Sequence, residues 1–157
     1  MSLDIDIDYD AAVARIEDVT RKLQGARQDP VGRGLMDCGH YVMRKAIRNS
    51  PVDTGLMRAS IIAAPPEVDT SGQYSEVVVG TDIEYAPHQE FGTRPFWPPK
   101  GALEVWARRH GISEYLVRRA IARKGIKAKR MFTRAFIDSK TYIGRRMRRA
   151  VREATKE

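Results

Sequence analysis

Apolar and polar residues alternate at the start of the chain, with Leu3, Ile5, Ile7 and Tyr9 set against Ser2, Asp4, Asp6 and Asp8. A period of two predicts a strand with one apolar and one acidic face. From Asp10 the period lengthens. Val13, Ile16, Val19 and Leu23 fall at helical spacing, so Asp10 is placed to cap a helix of about fifteen residues ending near Gly25. Gln24 to Gly34 is rich in Gly, Asp and Pro and reads as a turn or linker. A second helix is predicted from about Val31 to Asn49, with Leu35, Cys38, Val42, Met43, Ala46 and Ile47 on its buried face. It must stop at Asn49–Ser50, because Pro51 disfavours helical geometry in the residue before it.

Two strands are predicted next, Leu56 to Ala64 and Tyr74 to Thr81, joined by the polar turn-rich segment PPEVDTSGQ as a hairpin. Residues 94–101, RPFWPPKG, carry three prolines within five positions and exclude regular structure. Helices resume as a pair, Ala102 to His110 and Ser113 to Lys124, broken by Gly111 and ended by Gly125, with Ser113 as an N-cap. A last helix is predicted from about Ala128 toward the terminus. Phe132, Phe136, Ile143, Met147, Ala150, Val151 and Ala154 form its stripe, so it needs an apolar surface to lie against. The expected fold is α+β: a small antiparallel sheet packed on a long helix, an inserted helical pair and a C-terminal helix. Residues 1–30 form an N-terminal arm and helix, and 31–157 one domain with its helical insertion at about 95–128.

Composition adds limits. At 157 residues, 42% hydrophobic and 31% charged, the chain is long enough to bury roughly 70% of its unfolded surface and is neither disordered nor membrane-spanning by composition. The acidic start lacks the basic flank and apolar block of a secretion signal, so export by that route is not expected. A single cysteine, Cys38, leaves no intrachain disulfide or multi-cysteine zinc site and fits a reducing compartment. The net charge of +8 is uneven: residues 1–29 carry −3, residues 30–107 carry −2, and residues 108–157 carry +13. The C-terminal third therefore calls for an acidic or polyanionic partner, or pairs with the acidic N-terminus of a neighbouring copy.

Two segments concentrate special residues. In SPVDTGLMRASI, residues 50–61, Asp53 and Thr54 can bond nearby backbone amides, Gly55 permits a backbone angle that side chains disfavour, and Arg58 projects from the start of the following strand. In VGTDIEYAPHQEFGTRP, residues 79–95, a strand ends at Gly80, a helical turn carries Tyr85 to Phe91, and Gly92 ends it. Arg58 and Glu90 are expected to pair and tie the two segments together. Pro51, Val52, Asp53, Thr54, Gly55, Arg58 and Ser60, followed by Tyr85, Ala86, Glu90, Phe91, Gly92 and Thr93, resemble the ordered motifs of a tailed-bacteriophage family, the tail-component proteins also described as neck, tail-completion or head-tail connector proteins. Trp106, Ile121, Ala122, Arg123, Gly125, Ile126 and Phe132 are similar to the continuation in one branch of that family. The resemblance covers about residues 31–157.

The resemblance implies a structural virion protein, assembled in the bacterial host cytoplasm and sited at the neck or top of the tail. It implies a ring of copies that joins the connector or head-closure protein to the tail-terminator or tail-tube protein, with genomic DNA passing non-specifically through a channel and no membrane, cofactor or metal involved. Candidate subunit or channel contacts are Arg145, Arg149 and Arg152, one stripe of the last helix, and Phe96 and Trp97. Phe96 and Trp97 could equally cap the core. The alternative is a DNA-binding helix-turn-helix over residues 102–124, offering Ser113, Glu114, Arg118 and Arg119 to a major groove. Catalysis is not expected: His88 lies beside Glu90 and Asp82, which could suggest a metal or general base, but lone histidines at such spacing, His110 among them, are more often ordinary surface or packing residues. His40 and Cys38 fall on different helix faces, and no phosphate-binding loop, HExxH or nucleophile elbow is present.

Overall fold

The computed structural model describes residues 14–18, 21, 29–68 and 74–155. The predicted strand 2–9 lies outside them, as does most of the first predicted helix, of which residues 14–18 are helical. The remaining elements follow in the order α1 (Pro30–Asn49), α2 (Leu56–Ser60), β1 (Ile62–Ala63), β2 (Glu67–Val68), β3 (Tyr74–Glu76), β4 (Val79–Gly80), α3 (Ala86–Phe91), α4 (Glu104–Arg109), α5 (Glu114–Lys124), α6 (Met131–Ile137) and α7 (Lys140–Ala154). The fold is α+β, mostly helical with short antiparallel strand pairs.

α1 begins inside the predicted linker because its start is well capped. The Asp29 carboxylate accepts from Gly32 N at 2.7 Å and the Asp29 carbonyl from Arg33 N at 3.0 Å. Pro30 occupies the first turn, where a missing N–H costs nothing. Cys38, Val42 and Ala46 are buried as expected, and Leu35, Met43 and Ile47 are half-buried.

The chain divides into two compact units. The first comprises residues up to Met43, Ile62–Gly80 and Asp138 onward. Here the hairpin packs on α1: a Cβ on Gly39 would lie 2.8 Å from a Val77 methyl, so only glycine lets the sheet come this close. α7 packs on α1 as well. Tyr41 stacks on Tyr142 with ring centroids 4.0 Å apart, and Gly34 abuts Ala150. Arg146 Nε bonds Asp37 at 2.7 Å. Burial pushes the Cys38 thiol up, against the opposing pull of Arg146.

The second unit comprises Arg44–Ile61 and Thr81–Ile137. Its core centres on Met57, Ala86 and Met131, with Ile83 and Phe132 packed against them.

Two predicted elements are corrected. Leu56–Ser60 is a helix, not the start of a strand, and Arg58 therefore sits on a helix. Gly55 at φ 82° turns the chain into it, Met57 buries in the core, and the Ser60 hydroxyl bonds the Met57 carbonyl at 3.0 Å. The hairpin that remains is split. β1 pairs with β4 in the register Ile62↔Gly80 and Ala63↔Val79, and β2 with β3 as Glu67↔Glu76 and Val68↔Tyr74. Pro65 and Pro66 stand between β1 and β2 and have no N–H to give a ladder. The predicted last helix is likewise two helices, α6 and α7, separated at Asp138–Ser139. Both residues are weak helix formers whose side chains compete for backbone groups, and the Ser139 carbonyl opens α7 by accepting from Ile143 N at 2.9 Å.

Candidate functional site

The first motif closes a loop at the end of α1. Ser50 is buried, and its hydroxyl bonds the Ala46 carbonyl at 2.7 Å. Arg58 reaches back along the loop and donates from Nε and Nη2 to the Ser50 carbonyl at 3.3 and 3.1 Å. Pro51 to Gly55 is held between these anchors. Thr54 acts as its residue type predicts, accepting from Leu56 N at 3.3 Å. Asp53 does not turn inward. Its carboxylate meets Arg109 of α4 at 2.7 Å.

The second motif carries a dense set of bonds. Glu90 is buried at the end of α3. The expected pair with Arg58 does not form, because both groups have better-placed partners. Glu90 Oε2 accepts from Phe132 N at 2.9 Å, and Oε1 accepts from Thr133 N at 2.8 Å and Thr133 Oγ1 at 2.6 Å. Those amides open α6, where four N–H groups have no partner within the helix. Burial would push the Glu90 carboxyl up; bonds from the Thr133 hydroxyl and amide, the Phe132 amide and the Met131 amide outweigh it and hold the group below the ordinary glutamate value.

The rest of the motif extends this latch through the backbone. Lys129 N donates to the Gln89 carbonyl at 2.7 Å and Arg130 N to the Glu90 carbonyl at 3.1 Å. Thr93 N donates to the Ile126 carbonyl at 2.9 Å, and Ile126 N donates to the Thr93 hydroxyl at 3.0 Å. Two glycines permit the approach. Gly92 has φ 74°, and a Cβ there would lie 2.8 Å from Ala128 N. Gly125 has φ 68°, and a Cβ there would run into the Thr93 carbonyl. Both a left-handed backbone angle and absence of a side chain are therefore required at each. Sequence reasoning took these glycines as helix ends, which they are; it missed that they face each other's segments.

The two aromatic residues of the motifs are not consumed by this internal bonding. Phe91 is 76% exposed and Tyr85 is 45% exposed. Tyr85 lines an open groove of about 860 Å³, together with Leu56, Val105, Trp106, Arg109 and Lys129 among others. Phe96 and Trp97 are exposed, not core caps. Trp97 lies edge-on to Tyr115 at 6.2 Å, and the Arg118 guanidinium stands 5.2 Å from its ring centre.

The helical pair uses two of the four residues that a helix-turn-helix would present to DNA. Glu114 accepts from Gly101 N at 2.7 Å, and Arg118 Nε donates to the Pro98 carbonyl at 2.8 Å. Ser113 takes the N-cap position of α5 without a side-chain bond, and Arg119 is exposed. On α7, Arg145, Arg149 and Arg152 are all exposed, and Arg149 meets Glu153 at 2.7 Å. His110 stacks on Trp106 with centroids 4.1 Å apart. Among the described residues no three His, Cys, Asp or Glu side chains gather as a metal site, and no helix is long and apolar enough to cross a membrane.

Comparison with known proteins agrees with the two motifs. Residues 14–92 match the family described as "Bacteriophage HK97-gp10, putative tail-component". No curated protein and no solved structure matches the chain. The match starts earlier than the resemblance read from the motifs and ends at Gly92, the residue on which the latch turns. It takes in the first motif, the second as far as Gly92, and half of the chain, and the protein belongs to this family of bacteriophage tail components.

Proposed function

We propose that the chain is a ring-forming structural protein at the head-tail junction of the virion, joining the connector to the top of the tail. Copies assemble in the host cytoplasm through buried apolar area and complementary charge, and a closed ring satisfies every copy's contacts. Its neighbours are the head-closure and tail-terminator or tail-tube proteins, and genomic DNA passes through the ring without sequence recognition.

One observation carries this reading. The Glu90–Thr93 motif spends Glu90 and Thr93 on internal bonds and Gly92 on a close backbone approach, and leaves Phe91 76% exposed among them. Among the described residues the fold leaves that ring largely uncovered, and aromatics are a residue type that dominates protein interfaces. Helix α5 points the same way: Val117 and Ile121 are half-buried, and Tyr115 and Leu116 stay exposed. The basic stripe Arg145, Arg149 and Arg152 suits either a phosphate-lined channel or an acidic neighbour. The helix-turn-helix alternative has less support, because Glu114 and Arg118 are already occupied.

The test is assembly of a Phe91→Ser variant. It should keep the thermal stability of the parent and lose higher-order assembly with itself or with neck components. Unchanged assembly in a folded Phe91→Ser protein would contradict the proposal.

A further inference from the structure

The groove in the second unit has a floor of a kind that a folded chain seldom leaves open. Leu56 is 55% exposed and Val105 is 64% exposed. Tyr85 and Trp106 extend the apolar lining; Arg109 is paired there with Asp53, which also lines the groove, and Lys129 adds positive charge. The surrounding sequence is strongly cationic: residues 108–134 contain ten Lys or Arg and one acidic residue, Glu114, whose carboxylate is already bonded to Gly101 N. The groove therefore suits an occupant that is apolar on one side and acidic on the other.

The chain contains a segment of that chemistry, outside the described residues. Leu3, Ile5, Ile7 and Tyr9 alternate with Asp4, Asp6 and Asp8, and Asp10 follows. Extended, these seven positions from Leu3 to Tyr9 span about 20 Å and put every apolar side chain on one face. That face fits the groove floor. The carboxylates on the other face would be attracted to Lys129 and to the net positive charge of residues 108–134, which fixes the direction of approach. A nucleic acid would find the positive charge but would leave the apolar floor unfilled.

We propose that this groove is the seat of the Leu3–Tyr9 segment of a second copy of the chain. The proposal rests on the ring reading, since an arm from each copy seated in the next is a head-to-tail contact, and such contacts close into rings.

The experiment uses two full-length chains, each with Cys38→Ala, one carrying Ile5→Cys and the other Val105→Cys. A tag on one chain separates hetero-dimers from homo-dimers after mild oxidation, and native mass is read on the same samples. The expected result is a disulfide-linked hetero-dimer, reduced at least fivefold when Ile7→Asp is added to the first chain. No hetero-dimer in samples that still form rings overturns the seat and leaves the ring standing. Neither hetero-dimer nor ring overturns both. In a third full-length chain with Cys38→Ala that carries both Ile5→Cys and Val105→Cys, a bridge that forms only within the chain overturns the second copy as the occupant.

Discussion

Thr133 donates to Glu90 twice, from its amide at 2.8 Å and its hydroxyl at 2.6 Å, and both bonds fall on the same carboxylate oxygen. With the Phe132 amide on the other oxygen at 2.9 Å, a carboxylate from α3 does for α6 what a local N-cap residue does elsewhere. The need is visible in the chain itself. Arg130, the residue before α6, has no side-chain acceptor and sits at φ 54°. A carboxylate is also the preferred charge at a helix N-terminus.

Replacing Glu90 with Gln removes that charge and turns one acceptor into an NH₂ group facing a donor. The cost should be about 1–3 kcal/mol, the range for a buried polar group deprived of its partner. Chemical unfolding at neutral pH measures it. A Glu90→Gln variant as stable as the parent would rule out the capping role.

The same carboxylate sets a pH dependence. Its pKa is lowered in the folded state, so its contribution is complete above the unfolded glutamate value of about 4.3 and is lost as pH falls through the lower folded value. The parent should lose stability on acidification through that window, and Glu90→Gln should lose less. Parallel stability curves for the two proteins would show that Glu90 does not titrate as described.

Three glycines with positive φ differ in what a Cβ would meet. Gly101 has φ 88° and nothing within 4 Å of a Cβ, whereas Gly92 and Gly125 have backbone atoms of the opposing segment in that space. Gly101→Ala should cost about 1–2 kcal/mol, the left-handed penalty alone. Gly92→Ala and Gly125→Ala should each cost clearly more, read as a larger fall in Tm. Equal losses at all three sites would mean that the two segments part easily.

Asp53 and Arg58 lie in one turn but differ in weight. Arg58 serves the carbonyl of buried Ser50, and Arg58→Ala should cost about 1–3 kcal/mol by leaving that acceptor unpaired. The Asp53–Arg109 pair is 2.7 Å long but its side chains are 32% and 43% exposed. A double-mutant cycle on it should give a coupling below about 1 kcal/mol that shrinks with added salt. A larger, salt-insensitive coupling would show that the pair is a structural anchor.

Much of this architecture was legible in the chain. The spacing of Cys38, Val42 and Ala46 marked α1, Pro51 marked its end, and Gly55, Gly92 and Gly125 marked turns that the structure contains. Leu56–Ser60 was not legible as a helix, because five residues are too few to show a period. The break at Asp138–Ser139 was hidden by an apolar stripe that runs through both α6 and α7. The partners of Glu90 were hidden for a different reason. Charge alone pointed to Arg58, but the bonds go to uncharged amides more than forty positions away, which no local pattern announces. The exposure of Phe91 could not be read from its type, since aromatics serve cores and interfaces alike.

The mass of the native particle tests the central claim most directly, measured on the full chain alone and mixed with head-connector and tail components. The account predicts one discrete closed oligomer, alone or in the mixture, that binds those components. A protein that stays monomeric in every mixture and is absent from purified virions would contradict it.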